Sequence, residues 1–219
     1  ADVIEVLEAA KKKGVRIASF VNMPGSMITR MSEDRFMSGS GPEICVMSTK
    51  TFAAQISFGY LLAKTLEGKL AEGKERLHQL SDAIRTYLDA KDNHAMLRKL
   101  ARRLMRKPHI FLLGKHQNFH VIREGMVKII EAAYLHGHAL PAGDLKHYVI
   151  TLMEKGVPVI AAVSRDAFEK DMLSAIHQVQ ARGAEVIAIA PERKESFDHF
   201  LPVPDVGETS AIMNLIPLQ

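Results

Sequence analysis

The spacing of apolar positions changes several times along the chain, and each change marks an element. In residues 1–13, Val3, Ile4, Leu7 and Ala10 recur at helical spacing before a basic cluster and Gly14. That pattern predicts an amphipathic helix with a C-terminal stop. VRIASFV (15–21) reads as a strand, Asn22–Ser26 as a turn holding Pro24 and Gly25, and 34–38 as a weaker strand. A Gly/Ser-rich stretch then leads to a candidate N-cap at Ser48 or Thr49. The helix after it runs to about Glu67, is apolar over most of its circumference, and is expected to be largely buried.

Residues 68–108 interleave charges with Leu, Ile and Met at helical period, predicting two helices with a break near Ala90–Asn93. From Pro108 the pattern predicts a buried strand (HIFLLG), a helix from about Phe119 to His136, and a Gly/Pro loop at 137–143. A helix near 144–154, a strand at 157–163, a helix at 166–182 and strands at 184–190 and 200–203 follow. Thr209 or Ser210 is positioned to cap a last helix. Apolar strands alternating with amphipathic helices predict an α/β fold with mostly parallel sheets covered on both faces. Because strand, polar loop and long helix recur in that order, two tandem three-layer α/β/α modules are expected. They would span 1–70 and 108–219, with linking helices at 71–107.

Composition narrows the functional classes. Of 219 residues, 47% are hydrophobic and 25% charged, a globular balance, and the net charge of +4 is mild. A single Cys excludes a disulfide framework and any multi-Cys metal site. With no apolar run of eighteen residues and no basic-then-apolar leader, a cytoplasmic protein without membrane partners is expected. The basic cluster Arg98–Arg106 lies beside an apolar stripe and reads as a solvated helix face, so no nucleic-acid partner is expected. The first helix has no strand before it and the last pattern, ETSAIMNLIPLQ, resembles a helix just starting. Both ends therefore predict a fragment of a longer fold.

Three segments have residues suited to chemistry. Ser38, Gly39, Ser40, Gly41, Ser48 and Thr49 precede a long helix, where hydroxyls and N–H groups suit either a small anion or ordinary turn and capping roles. Neither the P-loop nor the dinucleotide spacing is present. Glu124, Lys128 and Glu131 fall at i, i+4 and i+7, on one helix face. They form either a solvated ion-pair stripe or a cleft in which a carboxylate abstracts a proton alpha to a carbonyl. His147, with Gly143, Asp144 and Lys146, is expected in a first helical turn, whose dipole disfavours imidazolium. His116, His120, His136 and His138 match no metal-ligand spacing, and no metal or cofactor is expected. Cys45 has no His beside it in sequence and reads as an inert small hydrophobe.

At these residues the chain resembles a known family. GPEICVMSTKTFAAQ (41–55), REGMVKIIEAAYLH, AGDLKH, VQARGAEVIAIA and the closing IPLQ resemble, in order, the isomerase domain of the glutamine:fructose-6-phosphate aminotransferases, a doubled sugar-isomerase (SIS) fold. ADVIEVLEAAKKKG resembles the helix after that family's first sugar-binding loop. The resemblance implies fructose 6-phosphate or a similar sugar phosphate as substrate. It further implies a glutaminase domain elsewhere in the full-length chain, to supply ammonia, and a homodimer with a shared active site. It implies Glu131 as the base moving a proton between C1 and C2, with Lys128 near the sugar and Glu124 supporting from the same helix. His147 would assist ring opening from the neighbouring subunit, and Val46 and Ser48 would line the sugar site. The family's phosphate loop and Schiff-base lysine would fall before Ala1 and after Gln219. Two departures stand out: Tyr148–Val149 replace Gly-Pro after the histidine, and Gly114–Lys115–His116 replace Gly-Arg-Gly. A sugar-phosphate deglycase or isomerase without a glutaminase, and a non-catalytic sugar-phosphate-binding module, are the alternatives.

Overall fold

A computed structural model describes residues 2–219, in two compact units that divide after Gly73. The first unit opens with α1 (Asp2–Lys12), β1 (Ala18–Val21), α2 (Met27–Met31) and β2 (Asp34–Met37), then the long helix α3 (Thr49–Leu66). β1 and β2 pair in parallel, Ala18 against Asp34 through Val21 against Met37. Phe58 of α3 stacks on Phe20 at 4.3 Å and lies 5.2 Å from Phe36, so α3 covers one face of this two-stranded sheet. Contrary to the expectation from its apolar circumference, α3 buries only Thr51 and Lys64. Two short strands are too narrow to cover an 18-residue helix. The five-residue α2, capped by the Ser26 hydroxyl, is a further element that the turn residues concealed.

α4 (Leu70–Asp89) begins in the first unit and continues into the second, which adds α5 (Lys91–Leu104). Beyond them come β3 (His109–Gly114), α6 (Gln117–Ala133), β4 (His136–Pro141), β5 (Pro158–Ala162), α7 (Glu169–Ala181), β6 (Glu185–Ala190), β7 (His199–Pro202) and α8 (Ser210–Leu215). The five strands form one parallel sheet in the order β4-β3-β5-β6-β7. Strand alternation divides its core. Phe111, Leu113, Val159, Ala161, Val186 and Ala188 pack with Met172, Ile176 and Val179 of α7. Ile110, Leu112, Ile160 and Ile187, equally buried, point to the opposite face, where α6 packs on β3, β4 and α8. Helices on both faces of a parallel sheet make this unit the three-layer α/β/α module its pattern predicts.

Two segments differ from the expectation. α6 ends at Ala133, where Tyr134 takes a left-handed conformation (φ 55°, ψ 29°), so the helix does not reach His136. The following residues, read as a loop for their Gly and Pro, are the edge strand β4, paired from His109–His136 to Gly114–Pro141. An edge position tolerates that Pro because its missing N–H is not needed there. The second difference lies at 144–154, where no α-helix forms. Two short 3₁₀ turns, Ala142–Asp144 and Val149–Leu152, bracket an irregular turn.

Candidate active site

The second unit brings Glu124, Lys128 and Glu131 together. Gly114 ends β3 so close to the first turn of α6 that a Cβ there would sit 2.5 Å from the Asn118 carbonyl oxygen. This contact fixes where α6 starts and hence which face the triad occupies. The Lys128 ammonium lies 2.7 Å from Glu124 Oε1 and 3.6 Å from Glu131 Oε2. Lys128 and Glu124 are nearly buried, with side chains 6% and 12% exposed, whereas Glu131 is 35% exposed. The separations distinguish the two carboxylates. Glu124 is the nearly buried counter-ion of Lys128. Glu131 stands just beyond hydrogen-bond reach of the ammonium, with its carboxylate partly exposed. The solvated-stripe reading is therefore corrected for Lys128 and Glu124, whose burial no exposed i, i+4 pair would show. On the same helix, Gly125 admits the chain's last 3₁₀ turn: a Cβ would meet Leu218 Cδ1 at 2.6 Å.

His147 is placed elsewhere in this unit. It is exposed in the turn following β4, its backbone N–H donating to the Asp144 carbonyl at 3.0 Å. Because 144–154 is not an α-helix, the expected helix dipole acting on His147 is absent. His136 and His138 share a face of the edge strand β4. The His138 ring meets Phe111 at 5.8 Å and Tyr148 at 6.5 Å, a packing role. Among the described residues no group of three or more His, Cys, Asp or Glu is placed to hold a metal ion. Among the same residues no helix is long and apolar enough to cross a membrane.

The first unit places Val46 and Ser48 on the loop leading into α3. Val46 is 85% exposed, and Ser48 occupies the N-cap position in a left-handed conformation (φ 54°, ψ 46°) without a side-chain capping bond. The cap comes instead from Glu43, whose Oε1 accepts the Thr51 N–H at 2.8 Å. The eight-residue separation lies outside any capping-box spacing, so local sequence did not reveal it. A carboxylate thus already neutralises the α3 N-terminus, where the sequence left open a small anion. The loop hydroxyls are engaged as well: Ser38 donates to Asn22 Oδ1 at 2.6 Å, Ser40 to Ser38 at 3.1 Å, and Asn22 Nδ2 donates to the Gly41 carbonyl at 2.6 Å. The Ile44 side chain, fully exposed, and Val46 remain accessible on this loop. Cys45 is exposed.

Sequence reasoning missed one polar cluster. Asn118, Ser164 and Asn214, all buried, join α6, the end of β5 and α8 through bonds of 2.8 to 3.0 Å. Ninety-six residues separate the outermost pair, and no local pattern connects them.

Known proteins resemble this chain over its whole length. The SIS domain family profile matches residues 1–65 and 103–201. The chain is 36% identical to a glutamine–fructose-6-phosphate aminotransferase (isomerizing) of Pyrococcus horikoshii and 32% identical to that of Caldanaerobacter subterraneus. Both alignments cover all of this chain but only 37% and 38% of those proteins. Among solved structures, the C-terminal domain of glucosamine-fructose-6-phosphate aminotransferase from Francisella tularensis superposes with a TM-score of 0.87 at 28% identity. That match covers all of this chain and 64% of the other.

Proposed function

Because the chain belongs to the SIS domain family, we propose that it is the isomerase part of a glutamine–fructose-6-phosphate aminotransferase, acting on a phosphorylated ketose. The observation that carries this reading is the graded burial of the α6 triad: a buried Glu124–Lys128 pair beside an accessible Glu131. Surface ion pairs are rarely built this way, because burying an ammonium costs several kcal/mol unless a partner compensates it. A cation held beside an open carboxylate suits proton transfer alpha to a carbonyl or imine, in which negative charge develops next to the carbon losing its proton.

In this reading fructose 6-phosphate is the substrate and ammonia, released by a glutaminase domain elsewhere in the full-length protein, supplies the nitrogen. Glu131 takes a proton from C1 and returns it to C2, and Lys128 offsets the charge that builds up between them. His147, on its exposed turn, is free to reach a neighbouring subunit and assist ring opening in a cytoplasmic homodimer. Val46 and Ser48 line the sugar, contacting its uncharged portion, since Glu43 already fills the anionic position at α3. Agreement with the relatives over the whole chain supports the choice of this substrate over a deglycase role. The test is solvent exchange at C1. In deuterium oxide the full-length protein should label C1 of fructose 6-phosphate and leave unphosphorylated fructose unlabelled. Absence of label from the phosphorylated sugar would overturn the reading.

A further inference from the structure

The basic cluster Arg98–Arg106, which in sequence reads as a solvated helix face, borders an apolar groove in the fold. Arg98, Ala101, Arg102 and Met105 fall at i, i+3, i+4 and i+7 along α5 and its C-cap, and so share one side of that helix. Facing them are Ile110 at the start of β3 and Ile129 near the end of α6. Between the two sides lies a groove of about 410 Å³, at the amino end of β3 and wholly within the second unit. Apart from the two arginines, every residue lining it is apolar. Ala101 accounts for the hollow, because its methyl group leaves open a space that a larger side chain at this exposed position would fill.

The groove combines uncovered apolar surface with unengaged charge. Ile110 is 1% exposed, whereas Met105 is 65% exposed, an apolar side chain without cover. Arginine stems often lie across apolar surface and shield it, yet here the space beside them stays empty. Among the described residues, neither Arg98 nor Arg102 has an ion pair or a side-chain hydrogen bond. Arg103, the next residue, differs: it turns to Glu185 at 2.6 Å. Side chains at i and i+4 start only about 5–6 Å apart, so both guanidiniums can donate to one carboxylate. No carboxylate of the chain lines the groove to compete for them. The volume falls within the ~300–1,000 Å³ of small-molecule pockets. A protein partner would need about 800 Å² on each side, whereas the apolar surface here is confined to one gap between α5 and α6. Two cations at the edge of an apolar slot match a molecule with one anionic head and an apolar tail.

We propose that this groove binds an amphipathic carboxylate, its head held by Arg98 and Arg102 and its tail laid along Ala101, Ile110 and Ile129. The site uses none of Glu124, Lys128 and Glu131 and does not depend on the isomerase reading. The test is calorimetric titration of the full-length protein with hexanoate, octanoate and decanoate below their micellar concentrations. Octylamine, the same tail with a cationic head, is the control. Affinity should rise about fourfold per added methylene, as burial of the tail requires, and octylamine should not bind. Arg98→Ala together with Arg102→Ala should weaken octanoate binding about tenfold, the loss of two exposed charge-assisted contacts. Lys99→Ala, on the same helix but outside the groove, should leave it unchanged. Ala101→Leu should abolish octanoate binding without lowering the midpoint of thermal unfolding. Affinity independent of chain length, octylamine binding as tight as octanoate, or octanoate binding retained in Ala101→Leu would each overturn the proposal. Absence of octanoate binding would overturn it too; if Ala101→Leu then also changed the sedimentation of the protein, the groove would be a contact between copies of this chain.

Discussion

Replacing Lys128 with Met removes a charge while keeping most of the apolar stem, and so isolates what the ammonium contributes. Two carboxylates would then remain on one helix face, one of them, Glu124, with a side chain 12% exposed and 2.7 Å from the lost ammonium. Removing one member of a buried pair costs ~3–5 kcal/mol, because the other charge stays buried and uncompensated. Glu131 adds little to this, being 35% exposed and 3.6 Å away. The expected loss is therefore near the lower bound, about 3 kcal/mol. At ~2–4 °C per kcal/mol for a domain of this size, the midpoint of thermal unfolding should fall by about 6–12 °C. Circular dichroism with heat and urea unfolding would measure it. Lys128→Met combined with Glu124→Gln should recover most of it. A single variant within ~0.5 kcal/mol of the parent, the scatter of ordinary surface substitutions, would refute the buried-pair argument. A double variant that recovers nothing would refute it equally.

Two other positions make sharp tests. Glu185 begins β6, where burial pushes its carboxyl up, but the bonds and charges of Arg103 (2.6 Å) and His199 (2.5 Å) hold it below its ordinary 4.5. A lowered folded value means that the stabilisation is complete above 4.5 and lost as pH falls through the folded value. Glu185→Gln should be less stable than the parent at pH 7 and should lose less on acidification below 4.5; parallel acid-unfolding curves would contradict this. Gly114→Ala places a Cβ 2.5 Å from the Asn118 carbonyl oxygen, which is backbone and cannot rotate away. It should cost ~1–3 kcal/mol and displace α6 with its triad, read as a lower urea midpoint together with reduced turnover. Unchanged stability would mean that the β3–α6 approach is looser than described.

Periodicity alone located most helices and every strand of the second sheet except β4, because HIFLLG, VPVIAAV and AEVIAIA are continuous apolar runs that only a two-sided parallel sheet buries. β4 escaped because HGHALP has the Gly and Pro of a loop, and its edge pairing to β3 is a tertiary fact. The stretch 144–154 was misread since LKHYVITL matches a helical period while Gly143 and the left-handed Gly156 confine it between short turns. The triad was visible from its spacing because i, i+4 and i+7 must share a face. Its graded burial was not, because that depends on what packs over α6. Glu43 as the cap of α3, and the Asn118–Ser164–Asn214 cluster, join residues whose spacing has no local signature.

The central claim, that Glu131 moves the proton beside the buried Glu124–Lys128 pair, is tested most directly by Glu131→Gln in the full-length protein. Fructose 6-phosphate binding and deuterium incorporation at C1 would be measured side by side. The amide keeps the size of the carboxylate and cannot act as a base, so exchange should fall by ~10²–10⁴-fold with the dissociation constant nearly unchanged. Exchange at the parent rate in a variant that still binds the sugar phosphate would contradict it.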